Sequence, residues 1–324
     1  MKKALRVAAT LVVTSAAVAY ILSKVDLGKT WDILTSASIP WLVASASLTM
    51  VTVPPMAWRW QQLLRARGVH DSVRWLTRAY FVSYAFGQVL PTSVGGDAWR
   101  IFETSRRHRG NVTPVTGSVL LERALGGAVT LVLAGIGLLL AIGRGYPIGA
   151  YLWVEAAFVV ATIAVAFVFF SRSIRSRLAF LLPLARRLRL ETAARAVYDG
   201  LHGYRSHPGT LARVSLITAS AQLVRVVAIY ASGRAVGIHL SLLPYVVLGP
   251  LLFLVMLVPF TVNGIGVREA FFISFLGKLG VHSDIAFACG FLFFVMTVLL
   301  ALPGVAVLLW ENVFARTPVP DGTA

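Results

Sequence analysis

Six stretches of the chain, 4–22, 39–58, 115–141, 148–170, 212–236 and 284–310, are apolar over the length a helix needs to cross a bilayer. No other feature narrows the possible folds as much. Hydrocarbon offers a backbone amide no partner, so an apolar run of this length closes its hydrogen bonds within itself, as a helix. Composition agrees. The 324 residues are 57% hydrophobic and only 13% charged, with a mean hydropathy of +0.78, more apolar surface than a soluble domain could hide. The expected class is an all-α polytopic membrane protein, with one transmembrane domain over 1–316 and a disordered tail over 317–324. At the N-terminus, Ala17-Val18-Ala19 resembles a signal cleavage site. The apolar run before it is long for a signal peptide and further spans follow, so it is read as a retained first helix.

Two further stretches, 79–104 and 244–278, are apolar but broken by proline, glycine and charge. The first contains "LPTSVGGDAWR" from Leu90, the second "VPFTVNGIGVREA" from Val258. Arginines flank the first on both sides: Arg59, Arg65, Arg67, Arg74 and Arg78 before it, Arg100, Arg106, Arg107 and Arg109 at its end. Basic residues mark cytoplasmic loops. A complete span cannot have both ends on one side, so the stretch reads as a re-entrant hairpin, with the basic segment 59–78 as a cytoplasmic loop. Irregular backbone at membrane depth requires protein or a water-filled cavity around it.

The same rule orders the remaining loops. The arginine-rich 171–211 loop lies inside, with an amphipathic surface helix between Leu184 and Tyr204. The loops 23–38, 142–147, 237–243 and 279–283 lie outside. Both termini are then cytoplasmic, in a multi-pass protein of the cell membrane. The net charge of +17 reads as attraction to anionic lipid headgroups rather than to nucleic acid.

Aligned on their prolines, the two broken motifs share a pattern: Pro91, Val94, Gly96 and Arg100 match Pro259, Val262, Gly264 and Arg268. Each follows two spans and precedes one, and the sidedness places them in opposite orientations. The chain thus reads as two inverted repeats, about 4–141 and about 148–310, the arrangement of many transporters. The alternative makes 244–260 a complete span and leaves the second motif in a loop.

Ionisable groups inside a membrane are costly and mark function. Asp97 and Arg100 share a face if the second limb of the first hairpin is helical. Arg268 and Glu269 hold the corresponding place in the second. Glycine-exposed amides with these arginines suit an anionic group such as phosphate; local charge pairing is the plainer reading. Glu122 and Arg123 lie near the cytoplasmic end of their span. Arg225 lies deeper, with Gln222 one turn earlier, and needs a partner: Glu122 or a ligand phosphate. Glu155 is placed near the outer interface. Cys289 reads as a small packing residue. His70, His108, His202, His207, His239 and His282 fall in predicted loops without metal-ligand spacing, and no nucleotide-binding loop is present. No catalytic residue, metal or cofactor is expected.

The motifs "LPTSVGGDAWR", "LLERALGG" and "VPFTVNGIGVREA", in this order, resemble a bacterial and archaeal flippase-like family. It comprises the transmembrane region of lysylphosphatidylglycerol synthases and stand-alone relatives, and the resemblance covers roughly residues 5–310. It implies movement of a polar-headgroup lipid between leaflets, with membrane lipids as partners. It also implies motif roles for Pro91, Gly95, Gly96, Asp97, Arg100, Glu122, Arg123, Asn263, Gly264, Gly266, Arg268 and Glu269. Full-length synthases carry a soluble aminoacyl-transferase domain after the membrane region. The present chain ends about fourteen residues past its last span, so aminoacylation is not expected. The expected substrate is an anionic or polyprenyl-phosphate type of lipid, bound by the motif residues together with Arg225. The competing readings are a membrane-interface glycosyl- or acyl-transferase and an accessory subunit docked through the 171–211 loop. A homo-oligomer or a partner enzyme of lipid metabolism is compatible with each.

Overall fold

The computed structural model describes residues 21, 23–89, 95–108, 110–170, 203–204, 206–257, 264 and 266–314. Among them the chain is helical throughout: α1 (Leu27–Thr35), α2 (Ile39–Val51), α3 (Val53–Arg65), α4 (Val73–Val89), α5 (Gly95–Arg107), α6 (Val112–Gly143), α7 (Tyr151–Phe170), α8 (Pro208–Ala235), α9 (Leu242–Leu257), α10 (Val267–Gly277), α11 (Ser283–Leu299) and α12 (Leu302–Phe314). Among the described residues, four runs are long and apolar enough to cross a membrane: Ile39–Arg65, Val112–Gly143, Pro208–Ala235 and Ser283–Glu311. The protein is a polytopic helical membrane protein. Each of the expected spans 39–58, 115–141, 148–170, 212–236 and 284–310 is largely helical; the third begins only at Tyr151, and 39–58 and 284–310 are each interrupted by a turn. The expected first span, the surface helix at 184–204 and the tail at 317–324 lie almost wholly outside the described residues.

Side-chain spacing shows which way the long helices face. On α6, Thr130, Ala134, Leu138 and Ala141 are buried, whereas Val132, Ile136 and Leu139 are exposed. Both sets follow helical periodicity, so one stripe packs inward and the other faces lipid. The largest apolar cluster is built from α6, α8, α9, α10 and α11, around Leu138, Ile229, Leu248, Leu251 and Phe272. Cys289 is fully buried within it, as its reading as a packing residue requires. A second cluster, including Trp60, Leu64, Leu76, Val115 and Ala221, joins α3, α4, α6 and α8.

The sequence reading placed Arg59 and its neighbours in a loop over 59–78. The structure corrects this, because α3 continues to Arg65 and α4 begins at Val73. The continuation follows from the apolar pattern: Val53, Met56, Ala57, Trp60, Leu63 and Leu64 are buried at helical spacing, and Arg59 and Gln61 are buried with them.

The broken stretches are pairs of short helices. Helices α4 and α5 pack against each other, as do α9 and α10. The start of α5 packs closely on α4. A Cβ on Gly96 would lie 2.3 Å from the Ser83 carbonyl oxygen, so only glycine lets α5 lie this close to α4. The two second limbs start differently. Gly95 and Gly96 belong to α5, whereas Gly264 and Gly266 have φ of +73° and +85° and precede α10. Positive φ cannot continue a right-handed helix. Arg268 therefore sits in the first turn of its helix, and Arg100 well inside its own.

Packing between the halves is reciprocal. Helix α4 packs on α12, beyond the second break, and α9 packs on α6, beyond the first. In each crossing a glycine meets a carbonyl: a Cβ on Gly304 would lie 2.1 Å from Phe81 O, and one on Gly137 3.0 Å from Val246 O. The described loops sort into two ends. At one end the Tyr204 hydroxyl donates to Leu63 O at 2.9 Å and Arg107 pairs with Asp71. At the other, Ser38 N donates to Ala235 O at 2.9 Å, Tyr146 meets Ser241 at 3.1 Å and Asp26 N donates to Asp284 at 2.7 Å.

Candidate functional site: a buried arginine–carboxylate network at the first break

Helix α5 carries Asp97 and Arg100 on one face, three residues apart as helical geometry requires, and Arg100 Nη2 donates to Asp97 Oδ1 at 3.1 Å. Helix α6 runs alongside and supplies Glu122 and Arg123, about 15 Å along its axis. Glu122 is 6% exposed, so its side chain points into the helix bundle rather than out to the surface. One of its oxygens accepts from Arg59 Nη2 and from the Tyr80 hydroxyl, and the other accepts from Arg100 Nη1 at 3.0 Å. Asp97 also accepts from Arg123 Nε, so it bridges Arg100 and Arg123.

The surroundings fix Arg100 further. Its guanidinium lies 4.3 Å from the centroid of the Trp60 ring and 4.4 Å from that of Tyr80. Cation–π attraction of this kind strengthens when water is excluded, and Arg100 is only 2% exposed. The Trp60 Nε1 donates to the Ser118 hydroxyl at 2.9 Å, which holds the ring in place. Arg59 Nη1 donates to Thr218 Oγ1 at 2.9 Å and ties α8 to the network. Removing one partner from a buried pair of this type costs several kcal/mol, because the other charge is left uncompensated.

Helix α8 continues the polar seam. Gln222 donates to Thr130 at 3.0 Å, and Arg225 Nη2 donates to the Tyr84 hydroxyl at 3.2 Å. Tyr84 in turn packs against Tyr80, their ring centroids 6.2 Å apart. Glu122, one of the expected partners of Arg225, is occupied by Arg59 and Arg100. Among the described residues Arg225 meets only the neutral Tyr84 hydroxyl. Among the described residues the connected network joins the guanidiniums of Arg59, Arg100, Arg123 and Arg225 to the carboxylates of Asp97 and Glu122.

The second break is organised separately. Arg268 Nε donates to Glu269 Oε1 at 2.9 Å, and its guanidinium lies 4.7 Å from the centroid of the Phe294 ring. Glu269 Oε2 accepts from Gly266 N at 2.8 Å, a cap on the start of α10. Among the described residues no hydrogen bond or ion pair joins Arg268 to the Arg100 network. Pro91 and Asn263 lie outside the described residues.

Sequence reasoning missed Arg59, Trp60, Tyr80, Tyr84 and Thr218. A signal existed for Arg59, in the helical spacing of the apolar residues around it. An aromatic or a threonine in an apolar helix gives no such signal.

The family model described as "Lysylphosphatidylglycerol synthase TM region" matches residues 7–304, nearly the whole chain. No curated protein matches the chain. The match runs through both breaks and every helix that builds the network, and the chain belongs to the lysylphosphatidylglycerol synthase transmembrane-region family.

Proposed function

We propose that the protein moves a lipid with an anionic headgroup between the leaflets of the cell membrane, binding that headgroup at the network of α3, α4, α5, α6 and α8. Arg225 carries this reading. It is a cation in a membrane helix whose guanidinium, among the described residues, meets only the Tyr84 hydroxyl, and it joins a network already rich in guanidiniums. A phosphate accepts from several guanidinium N–H groups at once and brings negative charge to them.

Arg59 and Arg100 are locked to Glu122 and hold the site in shape. Arg123 and Arg225, which are more exposed, are the groups that greet the headgroup. The halves 4–141 and 148–310 act as inverted repeats within one membrane domain, with the end holding Asp71 and Tyr204 and both termini in the cytoplasm. The reciprocal packing of α4 on α12 and α9 on α6 supports this, since rocking one half against the other opens one end as it closes the other. Gly264, Gly266, Arg268 and Glu269, with Pro91 and Asn263 beside the two breaks, complete the binding region.

Lipid binding to the purified protein tests the site, measured by native mass spectrometry with anionic and zwitterionic lipids of equal chain length. Wild-type protein retains the anionic lipid preferentially, and Arg225→Gln retains at least fivefold less of it. Equal retention of both classes, or an unchanged preference in the variant, contradicts the assignment.

A further inference from the structure

Glu155 plays no part in the network described above. It is the only charged residue of α7, a helix that is otherwise apolar, and lies about 6 Å into it from the end holding Ala150 and Tyr151. It is 7% exposed, and its Oε2 is buried with no hydrogen-bond partner among the described residues. The side chain lies against α6 at Gly135, where an added Cβ would stand 3.8 Å from Oε1. A glycine opposite the carboxyl thus leaves it space and offers it no polar side chain.

Among the described residues, the helices packed most closely against α7 are α6, α9 and, through the Tyr151 contacts with Phe271, Phe275 and Ser274, α10. Their charged and titratable groups are engaged elsewhere or neutral. On α6, Glu122 is held by Arg59, Tyr80 and Arg100, and Arg123 pairs with Asp97. On α9, Tyr245 is a buried neutral phenol. On α10, Arg268 and Glu269 pair with each other, and Lys278 just beyond it lies over the Tyr151 ring, 5.0 Å from the centroid. An ionised carboxylate with one oxygen buried among apolar groups costs free energy unless a cation meets it; a neutral carboxylic acid avoids most of that cost. Intramembrane carboxyls of this kind serve proton pathways.

We propose that Glu155 is a proton-binding site: the side chain is a carboxylic acid when α7 is closed on α6 and gives its proton to water when the two helices part. Resting on the transport reading above, this couples lipid movement to proton movement. One proton enters from the aqueous phase onto the carboxylate and leaves from the same oxygen pair, with no other bond made or broken. The proton path opens at the end holding Tyr151.

Infrared spectroscopy of the purified protein tests the site without any transport. Wild type shows a carboxylic-acid carbonyl band that weakens as pH is raised; Glu155→Gln, a neutral near-isostere, lacks it, and Glu155→Asp restores it at a shifted frequency. Identical wild-type and Gln spectra overturn the site. In proteoliposomes, an imposed pH gradient changes the wild-type rate of lipid movement at least fivefold and leaves that of Glu155→Gln unchanged. An equal response in both overturns the coupling. A wild-type protein that moves no lipid removes the transport reading and the coupling with it, while the proton site stands or falls on the infrared band.

Discussion

Glu122 and Arg123 are neighbours in sequence and opposites in energetic role. Glu122 is the only carboxylate bonded to both Arg59 and Arg100 among the described residues, and all three are buried. Replacing it with alanine leaves two buried guanidiniums without their anion, at a cost of about 3–5 kcal/mol. Arg123 is 40% exposed, so water replaces much of what its pairing with Asp97 provides. Its replacement by alanine costs at most about 1 kcal/mol. Thermal unfolding in detergent checks the contrast: Glu122→Ala melts far below wild type and Arg123→Ala close to it. Equal shifts would contradict the division between a buried clamp and an accessible cation.

At the level of the helix, close approach at glycine carries the architecture. Gly96→Ala and Gly304→Ala each place a methyl group against a backbone carbonyl, which cannot swing aside. Both variants should give less monodisperse protein and a lower unfolding temperature. Gly127→Ala, where a Cβ meets nothing within 4 Å, is the control and should match or exceed wild type by about 1 kcal/mol, since alanine favours helix. The helices themselves were legible in the sequence because apolar runs have no alternative in lipid. The helical partnership of Asp97 and Arg100 was legible too, from spacing. The place of Arg59 was not, because an arginine after a tryptophan-rich apolar run looks like a loop boundary. Only its packing against Glu122 and Thr218, far away in sequence, makes it part of the interior. The unequal starts of α5 and α10 were also hidden, because the matched glycines adopt different backbone conformations.

Among the described residues, the loops divide between two ends, and Arg65, Arg67, Arg74 and Arg107 lie at the end that holds Asp71 and Tyr204. This division gives a topology prediction. Cys289 is the only cysteine and is buried, so a Cys289→Ser background accepts single reporters. Cysteines at Ser72 and Ser206 should react with an impermeant thiol reagent only in inside-out vesicles, and those at Gly145 and His239 only in right-side-out cells. Mixed labelling within either pair would break the two-ended arrangement. The central claim, that this membrane region moves an anionic lipid through the network at the first break, is met most directly by flux. Purified protein in liposomes carrying a headgroup-labelled anionic lipid should expose inner-leaflet label at least tenfold faster than protein-free liposomes, and Arg225→Gln should lose most of that gain while still folding. Label that crosses no faster with the wild-type protein, or equally fast with Arg225→Gln, would contradict the account.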